Sequence, residues 1–283
     1  MAEVRPTGPR AIASAAALYG VLAVAAILFL VPFYLVLRNG LSTDIELSRP
    51  RWQYVPSTLE FDNVSKLFDN RSIPFLRSLR NSAVVSILQT TGAVFVSSMA
   101  GYGLARIPYR FANIVFGVIL ATLMIPAAVT FVPSFVIVSE IGWIDTYQGL
   151  IIPTMFQAFA AFLFRQYFLG FPLELEEAAR IDGLSTWGTY WRIVVPNSKG
   201  IFAAVASITF IGSWNAFLWP LVVGKDQDKW TVQVALSSFL NAQSPKVSQL
   251  FAASAIAILP LLIAFILLQR YIVEGVERTG ING

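Results

Sequence analysis

The chain contains no cysteine and no histidine. That excludes disulfides, thiol nucleophiles, zinc sites built on thiolate or imidazole, and imidazole acid–base catalysis. Charge is also scarce: Asp, Glu, Lys and Arg make up 13% of the 283 residues, against about 25% in soluble domains. No G-x-x-x-x-G-K-[S/T] run occurs, so a phosphate-cradling loop of that kind is absent. What the chain has instead is apolar surface. Hydrophobic residues reach 56% and mean hydropathy is +0.67, values of a multispanning membrane protein. The net charge of +4 suits basic edges against anionic lipid better than a nucleic-acid surface.

Six apolar segments lie near 12–37, 82–105, 111–138, 147–168, 200–223 and 248–269. Each supplies roughly 20 residues, enough for a membrane helix at about 1.5 Å rise per residue. The fourth is uncharged to residue 164 and reaches 168 with Arg165 extended to the interface. The first, behind Arg5 and Arg10, outruns the roughly 7–15-residue apolar core of a signal peptide and reads as a retained span. The expectation is an all-α integral membrane fold of six transmembrane helices, one domain over 1–283.

Basic residues orient it. Arg5, Arg10, Arg106, Arg110, Arg165, Arg180, Arg192, Lys199, Arg270 and Arg278 all fall on one side of this layout, which places both termini in the cytoplasm of a bacterial-type cell membrane. Loop 139–146 on the other side holds Glu140 and Asp145 and no basic residue. Loop 38–80 departs from the rule, with seven basic residues beside five acidic ones. Within it "TLEFDNVSKLF" has a weak amphipathic pattern and reads as a surface helix on the outer leaflet.

Arg165 apart, no Asp, Glu, Lys or Arg lies inside the six segments. Ion-coupled transporters commonly place ionisable groups there, although backbone carbonyls can also hold Na⁺. With no phosphate loop either, uphill transport would draw its energy from another polypeptide. A secondary transporter or channel working without an ATPase is the alternative. Span two carries Ser86, Gln89, Thr90, Thr91, Ser97 and Ser98, either as helix-packing glue or as a polar path. In span five, "SWNAFLWPL" supplies Trp214, Asn215 and Trp219. Aromatic faces and an amide can bind sugar rings, or form an interfacial belt. Pro220 is expected to bend or end that helix. Trp214, Asn215, Trp219 and Gln89 are the candidates for a substrate path.

Between spans four and five, 169–199 is polar. Pro172 suits the first turn of a helix, and Glu174, Glu176 and Glu177 complement its dipole. Glu176 and Glu177 stand four and three residues before Arg180, spacings at which ion pairs can brace the face. Gly183 stops the helix and Ser185 can cap a second one. Ala178 and Ala179 give a small-residue face open to close approach. The residues leave two readings standing, a solvated linker and a docking element for a soluble partner.

"EAARIDGLSTWGTYWRIVVP" resembles the EAA signature of type I ABC importer permeases: EAA, three residues, G, nine residues, I, one residue, L-P. Glu177, Ala178, Ala179, Gly183, Ile193 and Pro196 keep every spacing, and Val195 stands where leucine is usual. "AARIDG" is similar to the carbohydrate-uptake branch, as are "FLRSLRNSAVVS", "AGYGLARIPYRF", "IGWIDTYQGLIIP" and "SWNAFLWPL". The likeness runs from about Leu59 to Tyr271. The tail "EGVERTGING" and the stretch "LVLRNGLS" depart from the family pattern.

The resemblance implies the type I importer permease fold and a chain that catalyses nothing itself. Implied partners are a homologous second permease, two ATPase subunits that carry the ATP and Mg, an extracytoplasmic substrate-binding protein, and the lipid bilayer; no cofactor is expected in this chain. It implies a coupling role for Glu177, Ala178, Ala179, Asp182, Gly183, Ile193 and Pro196. In that role the alanines permit close approach, Glu177 and Asp182 offer acceptors to a basic groove, and glycine sets the turn.

Overall fold

The computed structural model describes residues 9–70, 72–241 and 246–280, and among these there is no strand. Arg5, Arg71 and residues 281–283 lie outside the described residues, as do the side chains of Arg10, Arg278 and the rest of the tail from 274.

The main helices in chain order are α1 (Pro9–Gly40), α2 (Asp44–Leu47), α3 (Asp62–Phe68), α4 (Phe75–Arg106), α5 (Ala112–Leu123), α6 (Ala127–Glu140), α7 (Tyr147–Ile151), α8 (Ala158–Leu169), α9 (Leu173–Ile181), α10 (Thr186–Thr189), α11 (Val195–Asn197), α12 (Lys199–Trp214), α13 (Leu218–Val223), α14 (Val232–Leu240) and α15 (Val247–Gly280). Three described helices, over Ala13–Gly40, Phe75–Arg106 and Val247–Tyr271, are long and apolar enough to cross a membrane singly; bent pairs bring the number to six.

Two of the bends fall where proline chemistry puts them. The third apolar segment, expected as one helix over 111–138, is α5 and α6 meeting at 99°. Pro126 precedes α6 with ψ 134°, and proline keeps the residue before it out of the helical region. The fourth segment bends by 43° after a 3₁₀ turn, Ile152–Thr154, that contains Pro153. The fifth breaks at Asn215–Phe217, ahead of Pro220. Pro220 is the third residue of α13, where its missing N–H is one that a helix leaves unpaired anyway.

The described residues form two compact units, one drawn from Met1–Asp69 and Phe239–Ile256, the other from Asn70–Ser238 and Ala257–Gly283. In the first, Gly40 lets α1 meet α15 closely: a Cβ there would lie 2.9 Å from the Ala252 nitrogen. The Ser248 N–H at the start of α15 donates to the Asp44 carboxylate at 2.9 Å. Arg38 and Glu46 form a buried ion pair at 2.6 Å, and Ser57 donates to the second Glu46 oxygen. The helix expected in "TLEFDNVSKLF" is α3. It is tied down by more than its apolar face, because buried Asn63 donates to the carbonyls of Gly40 and Ser42.

The second unit is built around α4. Ser97, Ser98 and Gly101 on α4 are buried, and a Cβ on Gly101 would lie 2.6 Å from Phe164 Cβ on α8. Small residues thus bring the two backbones together, as they do generally between membrane helices. At the Asn81 end of α4, the Asn81 amide donates to the carbonyls of Asp228 and Trp230, each at 2.9 Å. Its oxygen accepts from the Tyr147 hydroxyl at 2.6 Å. Ser82 accepts from the Val232 N–H at 2.8 Å, and Arg77 pairs with Asp228. This knot organises segment 224–232.

Candidate functional site

The 169–199 loop leaves α8 at Gly170 and enters α9 behind Pro172. α9 ends in a two-bond reversal: the Gly183 N–H donates to Arg180 O at 3.0 Å and the Leu184 N–H to Ala179 O at 2.9 Å. This is a Schellman stop, and Gly183 supplies the φ of +80° that it needs. Ser185 caps α10 by accepting from the Gly188 N–H at 3.1 Å. The chain continues through a π turn, Tyr190–Val194, and α11, and the 186–197 arm meets α12 at 80°.

α9 separates its side chains by face. Glu177, Ala178, Asp182 and Gly183 point outward, together with Ile181, which is 87% exposed. Ala179 is buried, as is Glu176, at 1% exposure. The two alanines therefore do not share a docking face; Ala178 faces outward while Ala179 lets α9 lie close against its own chain. Ile193 is half-buried and Pro196 exposed on the following arm.

Glu176 does not pair with Arg180. Among the described residues no ion pair joins Arg180 to Glu176 or Glu177. Instead Glu176 Oε1 lies 3.0 Å from Nε of Arg106, the last residue of α4. Glu176 Oε2 accepts from the Tyr102 hydroxyl at 3.1 Å, and Arg106 also donates to the carbonyl of Phe171. The Arg106–Glu176 contact is a charge pairing without hydrogen-bond alignment, since neither Nε nor Oε1 has a hydrogen-bond partner among the described residues. Removing one member of a buried ion pair typically costs about 3–5 kcal/mol, because the other charge is left stranded.

A second anchor comes from Tyr190, whose hydroxyl lies 2.7 Å from Ser98 Oγ on α4 and whose ring packs 5.1 Å from that of Tyr102. Burial pushes the Tyr190 phenol up, and the Ser98 hydrogen bond opposes that shift. Phe164, Phe168 and Val194 complete the apolar bed beneath the loop.

The four path candidates each bond to a different partner. Trp214 is 2% exposed and donates to the Ala257 carbonyl at 3.0 Å. Gln89 accepts from Ser213 at 2.6 Å inside the bundle. Asn215 is exposed and accepts from Gln233 at 3.1 Å; Trp219 donates to Gly149 O at 3.1 Å. A groove of about 230 Å³ beside Thr90, Thr91, Phe210 and Leu267 includes none of the four.

Residues 74–278 match the family described as "Binding-protein-dependent transport system inner membrane component". The chain belongs to that family. It is a multi-pass inner membrane permease. The arabinooligosaccharides transport system permease protein AraQ of Bacillus subtilis is 36% identical to it, with 91% of this chain and 92% of that one aligned. The lactose transport system permease protein LacG of Rhizobium radiobacter is 34% identical over 91% and 93% of the two chains. The sn-glycerol-3-phosphate transport system permease protein UgpE of Yersinia pestis is 32% identical over 90% and 92%. A chain in the crystal structure of a bacterial ABC transporter involved in the import of the acidic polysaccharide alginate superposes with TM-score 0.81 at 20% identity, covering 95% of this permease and 99% of that chain. The fold is that of an ABC importer permease.

Arg106, Tyr102, Ser98 and Tyr190 are the contacts that sequence reasoning missed. "AGYGLARIPYRF" contains Tyr102 and Arg106, yet nothing local pairs them with a carboxylate 70 or more residues on.

Proposed function

We propose that this permease imports a sugar or a related polyol or glycerophospho compound, and that its 174–196 loop is where ATPase subunits grip it. The observation that carries the reading is α9 itself. It is stopped at one end by Gly183 and held from behind by Glu176, and it presents Ala178 and Ile181, both exposed, to the outside. An apolar, closely approachable surface on a fixed helix is suited to insertion into a groove of a soluble protein. Glu177 and Asp182 beside it offer acceptors to basic groups.

In this reading the loop lies in the cytoplasm. The chain acts as one permease domain, forming half of the translocation path with a homologous permease. Two ATPase subunits bind ATP and Mg beneath them, and a binding protein delivers solute at the opposite face. The names of AraQ, LacG and UgpE support the solute class. Closure of the ATPase pair moves the loop, and the helices swing between two states that the partners bind differently. Trp214, Asn215, Trp219 and Gln89 remain proposed contributors to the path.

Ala178→Arg tests the docking role. Membrane insertion is expected to persist, while uptake falls by at least about tenfold, equivalent to about 1.4 kcal/mol lost from the coupled interface. Uptake at the unaltered rate contradicts the reading, as does transport by the purified chain without an ATPase.

A further inference from the structure

α9 joins its neighbours through non-helical links: Gly170–Pro172 behind α8, and the left-handed Gly183 ahead of α10. Backbone joints of that kind bend under load, and along the chain they lead to α8 and, past the 186–197 arm, to α12. α4 is remote in sequence. Yet Arg106, its last residue, reaches both the entry link, at the Phe171 carbonyl, and α9 itself, at Glu176. Tyr102, one turn earlier, holds the other carboxylate oxygen. Ala179, three residues after Glu176 on the same face, is also buried. One face of α9 is therefore fastened by side chains to a helix it is not covalently near.

We propose that Arg106, Tyr102 and Glu176 form a positioning latch that makes α9 and the adjoining end of α4 move as one body when nucleotide turns over on the ATPase. The proposal rests on the docking role given to α9 above. Breaking the latch leaves the outward docking face intact but lets the loop flex at Gly170–Pro172 and Gly183, so movement is absorbed before it reaches α4.

The chain has no cysteine, so Glu174→Cys on α9 and Val96→Cys on α4, both exposed, give a pair of spin-label sites. They are introduced into the intact complex with cysteine-free partner subunits. With the latch unaltered, one narrow inter-label distance is expected, the same without nucleotide and with ATP plus vanadate. With Glu176→Gln, the complex is expected to retain its ATPase and to hydrolyse ATP, while the distance spreads and becomes nucleotide-dependent. Tyr102→Phe, which removes one hydrogen bond, gives a smaller spread and decides the matter where Glu176→Gln does not assemble. A nucleotide-independent distance in the variants, or a nucleotide-dependent one with the latch unaltered, overturns the latch. Absence of the ATPase from the purified complex of the unaltered chain instead overturns the docking role, and the latch with it.

Discussion

At its Asn81 end α4 is held by a neutral amide whose two donors and one acceptor are all matched, at 2.9, 2.9 and 2.6 Å. At its Arg106 end it is held by a buried ion pair at 3.0 Å in which neither Nε nor Oε1 has a hydrogen-bond partner among the described residues. A satisfied neutral network favours a single geometry, since any shift breaks a bond that burial makes expensive to lose. A buried charge pair instead holds two elements by an attraction that lasts only while both partners are present. One rod thus has an end held by matched neutral bonds and an end tied to α9 chiefly by charge. The second is the end that carries the loop assigned to ATPase docking.

The largest expected effect comes from breaking the ionic end. Arg106→Gln strands the Glu176 carboxylate and frees the Phe171 carbonyl, and should cost about 3–5 kcal/mol in thermal unfolding of the detergent-solubilised complex, with uptake falling more steeply than ATP hydrolysis. Asn81→Ala, at the neutral end, removes three hydrogen bonds and should cost about 3 kcal/mol of stability while the distance between labels on α4 and α9 keeps its independence of nucleotide. A nucleotide-dependent distance in that variant would erase the contrast between the two ends. Gly183→Ala forces a side chain into the left-handed region, where nothing lies within 4 Å of its Cβ; the strain alone is about 1–2 kcal/mol, read as a lower unfolding temperature and weaker ATPase retention. Tyr190→Phe removes only the Ser98 contact and should cost about 1 kcal/mol, with uptake near that of the unaltered chain.

The same contrast marks how far the sequence could be read. Caps and stops are local chemistry, so Ser185 and Gly183 appear in the structure in the roles their residue types suggest. The apolar segments are legible by length and lack of charge. The bends are legible only in part: Ile125–Pro126 carries the signal for the 99° break, but a run of apolar residues hides it. The break ahead of Pro220 has no proline of its own; α12 stops at Trp214.

The division between Glu176 and Glu177 is not legible at all. Both stand within reach of Arg180 along the helix, and only the position of Arg106, set by the packing of Gly101 against α8, decides which turns inward. Likewise Gln89 and Trp214 carry the residue types of a sugar-binding surface, whereas their hydrogen bonds to Ser213 and Ala257 are made inside the bundle.

The most direct test of the central claim uses the absence of cysteine. Ala178→Cys on the loop and Asp226→Cys near the Asn81 end, both exposed positions, are each charged with a short photo-activated cross-linker in the intact complex with its binding protein present. The Ala178 position is expected to join to the ATPase subunit and the Asp226 position is not. Cross-linking of the ATPase from Asp226, or of the binding protein from Ala178, would contradict it.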